Sequence, residues 1–138
     1  MISGDTLQSL LPQAPPMLMI DTLVSSDTEK TVTKFTIKED NIFVFEGKLR
    51  EPGIIENMAQ TAAARAGYEA FSNQTKVKTG YIGSIKNMVI YSLPKVNSAL
   101  QTILTPLSDI GDISVIKTEI VSKTRKIAEC TMTIILLD

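Results

Sequence analysis

The sequence predicts an α+β fold, a curved antiparallel sheet wrapped around one long helix, in a single domain over residues 1–138. Three observations carry this expectation. Residues 51–72 read as one helix that is apolar or small on nearly every face, and a helix without a polar face has to be wrapped by protein. β-Branched, alternating segments lie on both sides of it. The joints between the later segments are too short for helical crossovers, so consecutive strands run antiparallel. One apolar helix and about six strands then leave a sheet closed over the helix as the way to bury both.

The elements follow in order. Asp5-Thr6-Leu7-Gln8-Ser9-Leu10-Leu11 reads as a short amphipathic helix, ended by Pro12 and the pair Pro15-Pro16. Residues 17–24 read as a strand, residues 25–29 as a polar turn, and residues 31–37 as a second strand, completing a hairpin. In that second strand Thr33, Phe35 and Ile37 share one face, and Val32, Lys34 and Thr36 the other. An irregular stretch, residues 40–48, leads into the long helix, where Pro52 suits the first turn because its missing N–H costs nothing there. Ala59, Ala62, Ala63, Ala64, Ala66 and Gly67 let a sheet approach the helix closely, and Arg65 and Glu69 are spaced for an i,i+4 contact. Beyond the stop at residues 72–74, strands are expected over 80–91, 98–107, 112–122 and 125–137. In the last, Ala128, Cys130, Met132, Ile134 and Leu136 alternate onto the core face, which makes Cys130 a small buried hydrophobe rather than a reactive thiol.

Composition narrows the chemistry. A formal net charge of -1 and an aromatic content of 5% supply neither the basic field nor the stacking platforms of a nucleic-acid binder. The start of the chain lacks a signal peptide's basic and apolar regions, and residues 17–20 are too few to cross a bilayer, so a cytoplasmic protein without membrane contact is expected. With one cysteine and no histidine, neither a disulfide nor the usual zinc site is available, and no cofactor is suggested. The missing histidine also excludes Ser-His and Cys-His catalysis within the chain. What remains is Glu56, a carboxylate in the first turns of an otherwise apolar helix.

Several strings resemble the hot-dog fold, in particular the β-hydroxyacyl-acyl-carrier-protein dehydratases. Leu11-Pro12-Gln13-Ala14-Pro15-Pro16-Met17-Leu18-Met19-Ile20-Asp21 is similar to that family's opening Leu-Pro-His-Arg-x-Pro-x-Leu-Leu-x-Asp, with Gln13 in the place of histidine. Pro52-Gly53-Ile54-Ile55-Glu56-Asn57-Met58-Ala59-Gln60 resembles the family's helix start, Pro-Gly followed by apolar residues and Glu-x-x-Ala-Gln. Tyr81-Ile82-Gly83-Ser84-Ile85-Lys86-Asn87 resembles the strand beside the acyl tunnel. The family's catalytic histidine stands in a Gly-His-Phe-Pro loop before the helix, where this chain has Glu46-Gly47-Lys48-Leu49 and a shorter connection. That connection resembles an atypical branch of dehydratases associated with aryl-polyene-type pigment pathways.

Dehydration of a 3-hydroxyacyl thioester needs a base for the α-proton, an acid for the departing hydroxyl, and donors for the thioester oxygen. Gly53 near the helix N-terminus would let a thioester reach the N–H groups of Ile54 and Ile55, with the helix dipole favouring negative charge. Glu56 is the candidate for the proton transfers, as both acid and base. Gln60, one turn on, can orient that carboxylate or reach a neighbouring loop, and Asn57 lies one position off that face. The alternative is that Glu56 and Gln60 satisfy buried backbone groups. A partner chain could add Lys48, Tyr81 or Glu46, although Lys48 also reads as a solvated loop lysine. Ile82, Gly83 and Ser84 stand on the strand expected to border the substrate.

Three functions remain open on this reading: a dehydratase or isomerase of fatty-acid or polyene-type biosynthesis acting on acyl chains held by acyl carrier protein or coenzyme A, a thioesterase using Glu56, and a non-catalytic acyl-binding or scaffold subunit that could pair with an active dehydratase. The resemblance implies a homodimer, or a higher oligomer of dimers, with the site between the helix of one chain and the loop of the other. Lys76, Lys78, Lys86, Lys95, Lys123, Arg125 and Lys126 are candidates for a landing patch for an acidic carrier protein, and Ile82, Met88, Met58 and Phe71 for closing the tunnel.

Overall fold

The computed structural model describes residues 1–137. Its elements are β1 (Ile2–Ser3), α1 (Gly4–Ser9), β2 (Thr22–Ser26), β3 (Thr31–Thr36), β4 (Val44–Phe45), β5 (Lys48–Leu49), α2 (Glu51–Ser72), β6 (Thr79–Ile90), β7 (Ala99–Ile110), β8 (Ile113–Ser122) and β9 (Arg125–Leu137). Seven strands form one antiparallel sheet in the order β1-β2-β3-β7-β8-β9-β6, and β4 and β5 form a separate small ribbon before the helix. The strand that follows the helix, β6, is therefore an edge of the main sheet, hydrogen-bonded among the described residues to β9 alone.

The long helix spans the expected residues, and its lack of a polar face is explained by what covers it. Ile54 and Met58 are fully buried in a core with Phe35, Leu100, Leu104, Ile120 and Met132 of the sheet. A second cluster, Leu7, Leu10, Leu11, Ile20 and Leu23 with Ala64, seats α1 and the segment after it against the other side of α2. Close approach is enforced at Gly67, where a Cβ would collide with the Leu10 carbonyl oxygen. Cys130 is buried as expected, its Sγ 3.6 Å from Met58 Sδ and 3.2 Å from Thr118 Oγ1.

Two local expectations are corrected. Residues 17–21 are not strand, although Met19 and Ile20 are fully buried. Their backbone groups bond instead to helix side chains: Met19 N–H donates to Gln60 Oε1 at 2.6 Å, and the Met17 and Met19 carbonyls accept from Gln60 Nε2 and Asn57 Nδ2, both at 2.7 Å. Satisfied in this way, the segment needs no strand partner over those groups. Arg65 does not pair with Glu69; its Nη1 donates to the Asp27 carbonyl at 2.7 Å and to Thr31 Oγ1 at 2.8 Å, tying the helix to the β2–β3 turn. The ribbon β4–β5, not foreseen, closes through Glu46 and Gly47, both at positive φ (53° and 77°), the conformation a two-residue hairpin loop requires.

Candidate active site

The expected face of α2 borders a cavity of about 480 Å³. On the helix side it is lined by Ala59, Ala62, Ala63 and Ala66, whose short side chains leave the space, and on the sheet side by Ile82, Ile134 and Leu136. Glu56 lines the same cavity, half-buried, and is the carboxylate of a wall otherwise made largely of carbon.

The carboxylate is held from behind. Gln60, fully buried, donates from Nε2 to Glu56 Oε1 at 2.9 Å and to the Met17 carbonyl at 2.7 Å, and accepts the Met19 N–H on Oε1. Both expectations for Gln60, orienting the carboxylate and reaching a neighbouring segment, describe what its amide does. Asn57 belongs to the same seam: it donates to the Met19 carbonyl and accepts from Thr102 Oγ1 at 2.5 Å, joining helix, segment and β7. Thr61 extends the seam to Thr33 of β3 at 2.8 Å. Every group in this row is buried and paired, so the row is rigid and Glu56 projects from a fixed base.

Other expected site residues lie elsewhere. Gly53 and Ile54 are buried away from the cavity, and a Cβ at Gly53 would meet Leu49 Cδ1 at 2.6 Å and Phe43 Cβ at 2.8 Å, so this glycine serves the packing of β5 on the helix. The helix begins at Glu51, and the Ile54 N–H is already bonded to the Arg50 carbonyl at 3.2 Å. Ile55 sits a further residue inside the helix and is outside the lining; this chain alone does not present the expected pair of free amides. Lys48 is exposed on the small ribbon, away from the cavity. Tyr81 and Ile82 do line the cavity, whereas Gly83 and Ser84 fall in a bulge of β6 behind it. Of the four residues expected to close the tunnel, Ile82 alone lines it; Met58 is core, Met88 packs on that core, and Phe71 is exposed.

One wall residue was not among those candidates. Gln13 lines the cavity on the segment between α1 and β2, and its Oε1 is buried without a hydrogen-bond partner. Its place in the opening string, where the resembled family has histidine, was the available signal.

The titratable groups with perturbed protonation stand apart from the cavity. On the outer face of the sheet Lys126 bonds Glu129 at 2.8 Å, and Tyr91 donates to Glu129 at 2.9 Å. Those bonds hold the Glu129 carboxyl below its ordinary range and push the Tyr91 phenol up. Burial raises the Cys130 thiol, with the Thr118 bond opposing. Two of the landing-patch cations are engaged: Lys78 with Asp112 at 2.9 Å and Lys126 with Glu119 at 3.1 Å.

Known proteins share this architecture. A chain of "The Dehydratase Heterocomplex ApeI:P from Xenorhabdus doucetiae" superposes with a TM-score of 0.90 at 14% identity, covering 100% of this chain and 93% of that one. A hypothetical thioesterase from Streptococcus pneumoniae, solved with coenzyme A, gives 0.69 at 9% identity over 84% of each chain. The smu.793 protein from Streptococcus mutans, bound to acetyl CoA, gives 0.71 at 12% identity over 92% of this chain and 95% of that one. At such identities these likenesses establish the hot-dog fold. No curated protein matches the sequence. No helix is long and apolar enough to cross a membrane among the described residues. The sequence from residue 6 to residue 137 matches the ApeP-like family, described as ApeP dehydratase, and the chain belongs to that family.

Proposed function

We propose that the chain is the carboxylate-bearing subunit of a dehydratase acting on 3-hydroxyacyl thioesters carried by acyl carrier protein or coenzyme A, in a polyene-type biosynthetic pathway. The observation that carries this reading is Glu56, fixed by Gln60 at the wall of an apolar cavity in a chain of a dehydratase family. The acyl chain lies in the slot between the alanines of α2 and the sheet. Glu56 takes the α-proton and returns it to the departing β-hydroxyl; the C–O bond breaks, water leaves, and the double bond forms between the α and β carbons.

A single carboxylate doing both transfers is slow chemistry, and the chain has no histidine to share it. The second group, together with donors for the thioester oxygen, comes from a partner subunit seated on the free edge of β6. That edge exposes large apolar side chains: Tyr81, Ile82, Ile85 and Val89 are between 37% and 55% exposed. A long apolar edge strand left open is a pairing surface. The similar structure described as a dehydratase heterocomplex favours a non-identical partner of the same fold over a second copy.

The test is mass spectrometry of wild-type and Glu56→Ala protein incubated with 3-hydroxyacyl thioesters on carrier protein or pantetheine. Glu56-dependent loss of water supports the proposal. Glu56-dependent release of free acid replaces it with a thioesterase. An unchanged thioester across several chain types, with a hot-dog partner present, leaves a non-catalytic acyl-binding subunit.

A further inference from the structure

Among the polar groups of the cavity wall that the chemistry above does not use, one is buried without a partner. Gln13 Oε1 is shut into the wall with no donor, and no hydrogen bond joins Gln13 Nε2 to any described residue. Leaving a buried amide oxygen unpaired costs about 1–3 kcal/mol, so such atoms ask for an explanation. Here the surroundings supply one. The chain runs antiparallel along α2, with the Leu10 carbonyl against Gly67 and the Met17 carbonyl on Gln60; Gln13 lies between those two contacts, in the wall of the cavity that Glu56 also lines. Beyond its thioester, a 3-hydroxyacyl chain entering this slot is hydrocarbon except at its β-hydroxyl, the one group on it that both donates and accepts. The terminal torsion of a glutamine is broad and two-fold, so the amide can turn its oxygen toward an arriving donor without leaving a rotamer well.

We propose that Gln13 recognises the β-hydroxyl of the bound acyl chain, holding it in the cavity that Glu56 shares. This rests on the cavity being the acyl site. Gln13 is then a specificity residue: it distinguishes a 3-hydroxyacyl chain from a saturated one of equal length, and from the unsaturated product, which has lost the hydroxyl and is released.

The probes are two unreactive ligands, the S-octyl and S-(3-hydroxyoctyl) thioethers of pantetheine, which lack the carbonyl that dehydration needs. Affinities for the intact wild-type chain and for Gln13→Met, close in volume but without the amide, are measured by calorimetry. Wild type is expected to prefer the hydroxylated ligand by about tenfold, the worth of one hydrogen bond. Gln13→Met is expected to erase that preference while binding the S-octyl ligand as wild type does. Without ligand, Gln13→Met is expected to melt no lower than wild type, because the oxygen it removes has no partner to lose. An unchanged preference, an equal loss of both ligands, or a melting temperature several degrees lower would each overturn the role of Gln13 alone. Failure of wild type to bind either ligand would overturn the acyl-site reading and the inference with it.

Discussion

Gln60 Nε2 donates to Glu56 Oε1 across one helical turn, while Oε1 of the same amide takes the N–H of Met19. A single side chain thus anchors a non-strand segment to the helix and aims the carboxylate at the cavity. Packing and the position of the carboxylate are coupled at this residue.

Replacing Gln60 tests the coupling. Gln60→Leu strands the Met19 N–H and the Met17 carbonyl and is expected to cost about 2–4 kcal/mol in a denaturant titration. Gln60→Glu keeps an acceptor for the Met19 N–H but no longer donates to Glu56. Its carboxylate faces Glu56 and the Met17 carbonyl, so it should lower stability as well as turnover, the latter by up to about 100-fold, the scale of a misplaced catalytic group.

With the acyl chain in the proposed slot, the alanine wall is expected to set chain length. Ala59 lies three residues from Glu56 and Ala66 ten, which is about 5 and 15 Å along the helix axis. Ala59→Leu is expected to block acyl thioesters of every length, and Ala66→Leu only the long ones, as read from Kd against chain length.

The open edge predicts association. Ile85→Glu places a charge on β6 where another strand would pack, and light scattering should show the complex shifted toward the single chain. Ile85 is 37% exposed, so the fold itself should lose about 1–2 kcal/mol from the apolar area given up.

Gly67→Ala drives a methyl group into the Leu10 carbonyl, which is backbone and cannot swing aside. A loss of about 2 kcal/mol, or a melting point lower by roughly 5–10 °C, is expected.

Cys130 supplies a pH dependence. Burial raises its pKa above the ordinary 9.0, so as pH climbs through that value the unfolded chain gives up its thiol proton first. Stability contributed by the neutral thiol is present below the unfolded pKa and declines above it, an effect Cys130→Ser should remove. At pH 8 iodoacetamide should modify the thiol only after denaturation.

Much of this was legible in the sequence because it follows from periodicity. The bounds of α2 and the four long strands came within a few residues, since an apolar helix and alternating strands admit few arrangements. Residues 17–21 misled because their apolar run signals burial and not which partner satisfies the backbone; that depended on Gln60 and Asn57, some forty positions away. At the site, Glu56 and Gln60 were readable as one helix face. Gly53 packs against Phe43 and Leu49 and lies outside the cavity wall, a placement one dimension does not reveal, because a glycine needed for packing looks like one that admits a ligand. Gln13 was passed over because an unpaired oxygen is visible only once the wall around it is built.

The pairing of β3 with β7, Thr31 with Leu104 through Thr36 with Ala99, joins strands that stand on either side of α2 in the chain. The sheet therefore cannot be completed without closing a loop that contains the whole helix. Such distant contacts must be made before they are rewarded, which slows the conformational search. Newly made chain would spend that interval with its apolar helix uncovered, and a second subunit or a chaperone that meets it early would raise the yield of native protein.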